Sequence, residues 1–338
     1  MVLDDWQPVA MDALDVDAPL PCAEWLWDGY LMPGDITLLT SLWKTGKTTL
    51  LAGLLQSFAA GTPFLGRSTR PARVWVVSEE SRDQWRERLR RLPIGPHVQL
   101  VGRPFHGRPT VEEWDRLIQR AIDDRPDLFV VDPLASFLTS RSESEVTTLL
   151  EALQPLRRLA GRRIAVLLLH HPRKKASEVG STARGSGALL GFVDASMELT
   201  RYSAMSTDAN RRLIRAQSRR EATPDRLAYE WDRETGAFAV TADPRHRQFE
   251  ENWQTILGIL NEREGAMAHK EIAECWPPDA DKPALSTLYA WMALAYERKL
   301  IRREGQGTSK DPWRYRLEDE DDPYHDRGEL PPLRDLCR

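Results

Sequence analysis

The sequence predicts an α/β protein with a mainly parallel sheet flanked by helices and a small helical module at the C-terminal end. Three observations predict it. Short apolar runs at 36–40, 74–77, 128–131 and 164–170 alternate with helical stretches, the pattern of strands buried on both faces. The first run leads straight into a glycine-containing turn and a helix. Beyond Pro244 the pattern becomes helical and closes on two short strands around a Gly-rich turn.

The elements follow in order. Residues 1–33, rich in Asp, Pro and Trp, are an irregular lead-in whose Trp25–Tyr30 stretch is expected to pack on the main domain. Residues 34–243 form that domain. Strand 36–40 precedes helix 48–61. Strand 74–77 precedes an Arg-rich helix at 81–92. Strand 98–101 leads to helix 110–123, strand 128–131 to helix 144–160, and then to strand 164–170. A strand pair is expected at 195–201 and 210–217, and a hairpin at 229–240. Helices at 248–262, 269–276 and 284–299, with two strands in 300–317, give 244–317 the order of a winged helix-turn-helix. The acidic, Pro-containing tail 318–338 is expected to be disordered.

Composition removes several classes. The 338 residues are 41% hydrophobic and 29% charged, enough for a sizeable core. Lys and Arg number 47 against 51 Asp and Glu, a net charge of −4. Whole-chain basicity therefore makes no case for nucleic acid, and any such case must come from local clusters. Cys22, Cys275 and Cys337 are far apart, form no CxxC, and fit a reducing compartment. No apolar run approaches the ~20 residues of a membrane span. A cytoplasmic location is the expectation.

The most informative stretch is Ser41, Leu42, Trp43, Lys44, Thr45, Gly46, Lys47, Thr48 and Thr49, between a buried strand and a helix. That is the setting of a phosphate-binding loop, GxxxxGK[ST]. Backbone N–H groups of the loop and of the helix start hold phosphates. Lys47 reaches the β- and γ-phosphates and the Thr48 hydroxyl takes Mg²⁺. The departure is Ser41, where the first glycine normally stands. Lys44 adds a second cation inside the loop.

Such a loop needs an acid on another strand. The run Leu128–Val131 ends in Asp132, 85 residues after Lys47, and Asp132 is the expected second Mg²⁺ group. Pro133, not an acid, follows it, so the carboxylate that activates water must come from elsewhere. Strand 74–77 runs into Ser78, Glu79 and Glu80. Glu80 is the candidate general base and Glu79 the reserve.

Taken together, the loop, the Ser-x-Glu strand end, Asp132-Pro-Leu and a strand ending His170-His-Pro-Arg-Lys resemble the RepA-like (AAA_25) ATPases. These are RecA/DnaB-type motor proteins of plasmids, phages and chromosomes. The resemblance covers about residues 20–240, with Trp43 where the family commonly has Pro. It implies a RecA-like core with ATP and Mg²⁺ as cofactors. It implies a homo-oligomer, a hexamer by family habit, that acts on DNA in replication, recombination or mobile-element maintenance. It makes His170 or His171 a sensor of the γ-phosphate. It places a single-stranded-DNA-binding loop from Arg173, Lys174 and Lys175 through Arg184 to Gly187. It makes Arg219 an arginine finger acting in the neighbouring subunit's site. Gln217 stands where the family often has Lys, and Arg215 or Arg220 are substitutes for Arg219. Residues 157–220 hold 14 Lys/Arg and 4 Asp/Glu, a local charge of +10 that fits phosphate contact.

In the C-terminal module the helix at 284–299 stands in the position of a recognition helix, and Arg302, Arg303, Lys310 and Arg314 decorate the wing. Residues 245–317 carry 12 basic and 11 acidic residues, so duplex DNA and protein both remain open as its target. Trp276, Trp291 and Trp313 are expected in the core. The competing reading is a winged-helix DNA-binding regulator that uses ATP as an oligomerisation switch. A small-molecule kinase is disfavoured by the basic segment and the C-terminal module.

Overall fold

The computed structural model describes residues 11, 25–90, 94–138, 146–171, 187–202, 210–263 and 265–317. It divides into two compact units, Met1–Thr241 and Ala242–Arg338.

The first unit is a nine-stranded sheet with helices on its faces. In chain order its elements are β1 (Ile36–Thr40), α1 (Lys47–Ser57), β2 (Val74–Ser78), α2 (Arg82–Leu89), β3 (Val98–Gly102), α3 (Val111–Asp124), β4 (Leu128–Asp132), α4 (Val146–Ala160), β5 (Ala165–His170), α5 (Gly187–Phe192), β6 (Ala195–Arg201), β7 (Arg211–Ser218), β8 (Arg226–Trp231) and β9 (Phe238–Thr241). The strand order is β3-β2-β4-β5-β1-β6-β7-β8-β9. Every pair from β3 to β6 is parallel. From β6 to β9 every pair is antiparallel.

The sequence explains the parallel half. β1, β2 and β4 are buried at every position, which requires a face of helices on each side. One core lies between the sheet and α1, where Leu50, Leu51, Leu54, Leu55 and Phe58 meet Val74, Val76, Val130 and Leu167. The lead-in joins this core through Leu26, Trp27, Tyr30 and Leu31, as expected. Trp27 Nε1 donates to the Phe64 carbonyl at 3.1 Å. Gly53 lets α1 approach closely, because a Cβ there would stand 2.5 Å from the Phe238 ring. The other core packs Trp114 and Ile118 of α3 and Leu153 and Leu156 of α4 on Leu38, Val77, Phe129 and Leu168.

Helix starts follow local chemistry. Ser81 and Gln84 form a capping box before α2, and Thr110 and Glu113 form one before α3. α1 ends at Ser57, earlier than the expected Gly61, and residues 58–61 form turns instead.

The second unit contains α6 (Pro244–Asn261), β10 (Met267–Ala268), α7 (His269–Glu274), α8 (Leu285–Glu297), β11 (Ile301–Glu304) and β12 (Arg314–Leu317). Asp243 caps α6 and Pro244 opens it. α7 stops before Trp276, whose following Pro277 disfavours helical backbone. β10, β12 and β11 form an antiparallel sheet in that order. Phe249, Trp253, Ile256, Ile272, Leu288, Met292 and Tyr315 fill the core. Trp276 and Trp291 are buried in it and Trp313 packs against it, so all three are core aromatics. The tail 318–338 lies outside the described residues.

Candidate nucleotide-binding site

The parallel strands β1, β2, β4 and β5 end side by side, as Thr40, Ser78, Asp132 and His170. In open α/β sheets ligands bind at that edge. The loop 41–46 leaves β1 there, and the Ser41 N–H donates to the His170 carbonyl at 3.3 Å. Lys44 and Gly46 take positive φ values of 58° and 107°. Those left-handed positions wrap the loop so that successive N–H groups can converge on an anion. Ser41 does not take a positive φ, so replacing the usual glycine there introduces no backbone strain. α1 has no side-chain cap at its start, which leaves its first N–H groups for a ligand.

Lys47 is buried and held by three acceptors. Its Nζ donates to Ser41 Oγ at 2.7 Å, Ser41 O at 3.1 Å and His171 Nδ1 at 2.8 Å. Burial pushes its pKa down to about 8, against the pull of Asp132. An ammonium has only donors, so His171 Nδ1 is the acceptor and the ring is neutral. Burial, then Lys47 and His170, push the His171 pKa down to about 4. Of the two candidate sensors, His171 is the one whose ring meets the loop lysine. His170 contributes its carbonyl to Ser41.

Thr48 Oγ1 donates to Asp132 Oδ2 at 3.1 Å. Asp132 is buried, and burial pushes its pKa up to about 6 while Thr48, Lys47 and Arg88 pull it down and Glu80 pushes it up. A hydroxyl and a carboxylate side by side are the hard oxygen donors that Mg²⁺ takes together with phosphate oxygens and water. Among the described residues no group of three His, Cys, Asp or Glu could hold a metal by itself. The donor set therefore fits a metal that arrives with a nucleotide.

Glu79 and Glu80 follow β2 at the same edge. The Glu79 N–H donates to the Asp132 carbonyl at 3.1 Å, and the Glu79 carboxylate accepts from Ser136 Oγ. The Glu80 carboxylate is gripped by both terminal nitrogens of Arg88, one of them at 3.1 Å. Arg88 itself lies on the Trp85 ring. Sequence reading missed Arg88 because α2 reads as a solvated basic helix. The signal available was its position on the turn of α2 that faces back to Glu80.

The AAA_25 family model, described as an AAA domain, matches residues 5–177. The chain belongs to this family. It is a RecA/DnaB-type P-loop ATPase. The matched AAA_25 stretch ends shortly after β5 and does not include β6–β9. No curated protein matches the chain. Three solved structures are similar to it. The ATPase domain of a helicase has a TM-score of 0.47 and 14% identity, over 62% of this chain and 85% of that one. The RadB recombinase has a TM-score of 0.42 and 16% identity, over 62% and 92%. The flagellar accessory protein FlaH from Methanocaldococcus jannaschii has a TM-score of 0.43 and 13% identity, over 62% and 90%.

Within this AAA_25 ATPase, β7 runs antiparallel to β6, with Arg212 opposite Arg201 and Ser218 opposite Ala195. Arg212 therefore lies at the edge that carries the phosphate-binding loop, and Arg219 at the opposite edge. Seven residues of strand separate them, about 23 Å at 3.3 Å each. Arg219 is 67% exposed, with Asp194 Oδ1 and Gly191 O each 3.5 Å away. Arg220 is tied to Asp35 at 2.5 and 2.8 Å. Arg215, opposite Glu198 on β6, acts on the Glu198 carboxyl, whose pKa burial raises and Arg215 lowers.

The basic segment 157–220 is partly engaged inside the fold. Arg157 donates to the Phe192 carbonyl, Arg158 pairs with Asp115, and Arg211 pairs with Glu230. The loop cations Arg173, Lys174, Lys175 and Arg184 lie outside the described residues. In the second unit the Arg303 guanidinium is stacked between the rings of Tyr296 and Trp313, at 4.2 and 3.9 Å. Arg302 and Lys310 have exposed side chains. Arg314 reaches Glu271 and the Ala266 carbonyl. α8 contains no Lys or Arg and exposes Leu285, Tyr289 and Tyr296.

Proposed function

We propose that this protein is a DNA-associated, homo-oligomeric ATPase that hydrolyses ATP at sites shared between protomers. The observation that carries the ATPase reading is the grouping of Lys47, Thr48 and Asp132 at the C-terminal edge of the parallel strands. Lys47 neutralises charge on the β- and γ-phosphates, while the loop N–H groups orient them. Mg²⁺ held by Thr48 and Asp132 would neutralise charge on the phosphate oxygens. Glu80 is the base that takes a proton from the attacking water, because of the two carboxylates it is the one whose charge reaches Asp132. To act it must turn from Arg88. His171, resting on Lys47, reports the state of the γ-phosphate to the basic segment that follows β5.

The shared site is supported by the register of β7. Arg219 stands a strand length from its own loop, so its guanidinium can serve only another protomer's ATP. A finger supplied in trans requires a ring or filament. The family habit is six subunits. The DNA reading is supported by the cations of 173–184 in the sequence.

The test is ATPase rate with and without single-stranded DNA, with mass by light scattering in ATP. Stimulation by DNA together with a roughly sixfold mass supports a ring motor. A second reading is favoured by α8. A recognition helix without cations contacts protein more readily than phosphate, which fits a regulator that uses ATP as an oligomerisation switch. Slow hydrolysis indifferent to DNA would support that reading instead.

A further inference from the structure

Arg212 touches the phosphate-binding loop from a distant strand. It stands near the start of β7, is buried, and reaches back 167 residues to donate through Nε to the Thr45 carbonyl at 2.7 Å. Its Nη1 donates to the Arg211 carbonyl at 2.7 Å. Both acceptors are neutral, so neither bond cancels the guanidinium charge. Gly46 faces the same group, since a Cβ built there would lie 4.0 Å from Arg212 Nε.

The geometry has a direct consequence. The Thr45 carbonyl and the Gly46 N–H belong to one planar trans peptide and point in opposite directions. Holding that carbonyl from β7 fixes where the Gly46 N–H points. Gly46 has φ 107° and immediately precedes Lys47, at the turn where the loop N–H groups converge.

We propose that Arg212 is a positioning residue of the nucleotide site. It locks the Thr45–Gly46 peptide with its N–H toward the phosphates of a nucleoside triphosphate and places an intrachain positive charge behind the loop. This rests on the ATP-binding reading of the loop, but not on oligomer formation or DNA. It also joins β7 to the loop, so that one strand carries a cation for its own site and, seven residues on, Arg219.

The test uses the full chain with Arg212→Met, Arg212→Lys and Lys47→Ala. Arg212→Met keeps the buried aliphatic stem and removes the donor. The measurements are equilibrium binding of a fluorescent ATP analogue with Mg²⁺, the KM and kcat for ATP, and the melting temperature without nucleotide. Arg212→Met is expected to weaken analogue binding and raise KM about tenfold, the loss of one charge-assisted hydrogen bond. Its nucleotide-free melting temperature should stay near wild type. Arg212→Lys is expected to recover binding to within about threefold of wild type. Wild-type affinity in Arg212→Met overturns the proposal. So does a lowered melting temperature with no change in KM, which marks a purely structural arginine. If Lys47→Ala also binds and turns over like wild type, the loop reading itself fails. If Lys47→Ala is inactive while Arg212→Met is normal, only the role of Arg212 falls.

Discussion

The Lys47 ammonium donates to the neutral His171 ring at 2.8 Å, joining the loop that holds phosphate to the strand end that follows β5. Both groups are shifted toward their uncharged forms, Lys47 to about 8 and His171 to about 4. ATP affinity should therefore fall as pH rises through about 8, when Lys47 loses its proton. On the acid side, the folded state binds fewer protons at His171 than the unfolded chain does. Stability linked to this ring is full above the unfolded value of 6.5 and declines as pH falls from there toward 4. A binding titration across pH 6–9 and melting curves across pH 4–7 check the two limbs. His171→Gln should flatten the acid limb.

Lys47→Ala and Asp132→Asn should each reduce ATP turnover at least a hundredfold. The first removes the phosphate cation and the second removes the buried metal ligand beside Thr48. Steady-state phosphate release in purified protein is the measure. Turnover within threefold of wild type in either variant would contradict the site.

Glu80→Gln should bind ATP with near-normal affinity and lose hydrolysis by two or more orders of magnitude. Glu79→Gln, which removes a carboxylate that turns to Ser136, should cost far less. Single-turnover hydrolysis separates the two. The reverse result would transfer the base role to Glu79.

Phe129 is fully buried in the middle of β4, three residues before Asp132. Phe129→Ala should destabilise the first unit by about 3–5 kcal/mol through the cavity it leaves. Urea unfolding followed by tryptophan fluorescence reads this directly.

Much of this site was legible along the chain because its parts are local. A buried parallel strand writes itself as an unbroken apolar run, and the chemistry stands at the run's end. Thr40 leads to the loop, Val77 to Glu79 and Glu80, Val131 to Asp132, and Leu169 to His170 and His171. What could not be read is what depends on pairing between distant segments. Arg212 and Thr45 are far apart in sequence, and nothing local marks their contact. The choice between His170 and His171 needed the direction of each ring. The +10 count over 157–220 treated every cation as available, whereas Arg157, Arg158, Arg211 and Arg220 are engaged within the fold. Arg303 likewise read as a wing cation for DNA, yet two aromatic rings cover its faces. The short strand β10 has only two residues, too few to leave a pattern.

The central claim is an ATP site completed by a second protomer, and mixing two inactive variants tests it most directly. Lys47→Ala keeps Arg219 but lacks its own loop cation. Arg219→Ala keeps the loop but lacks the finger. Each alone should hydrolyse ATP at a small fraction of the wild-type rate. Mixed in equal amounts and allowed to exchange subunits, they should recover activity, because some interfaces then join an intact loop to an intact Arg219. A mixture no more active than its parts, with exchange verified by mass, would contradict a shared site. Full activity of Arg219→Ala alone would contradict it as well.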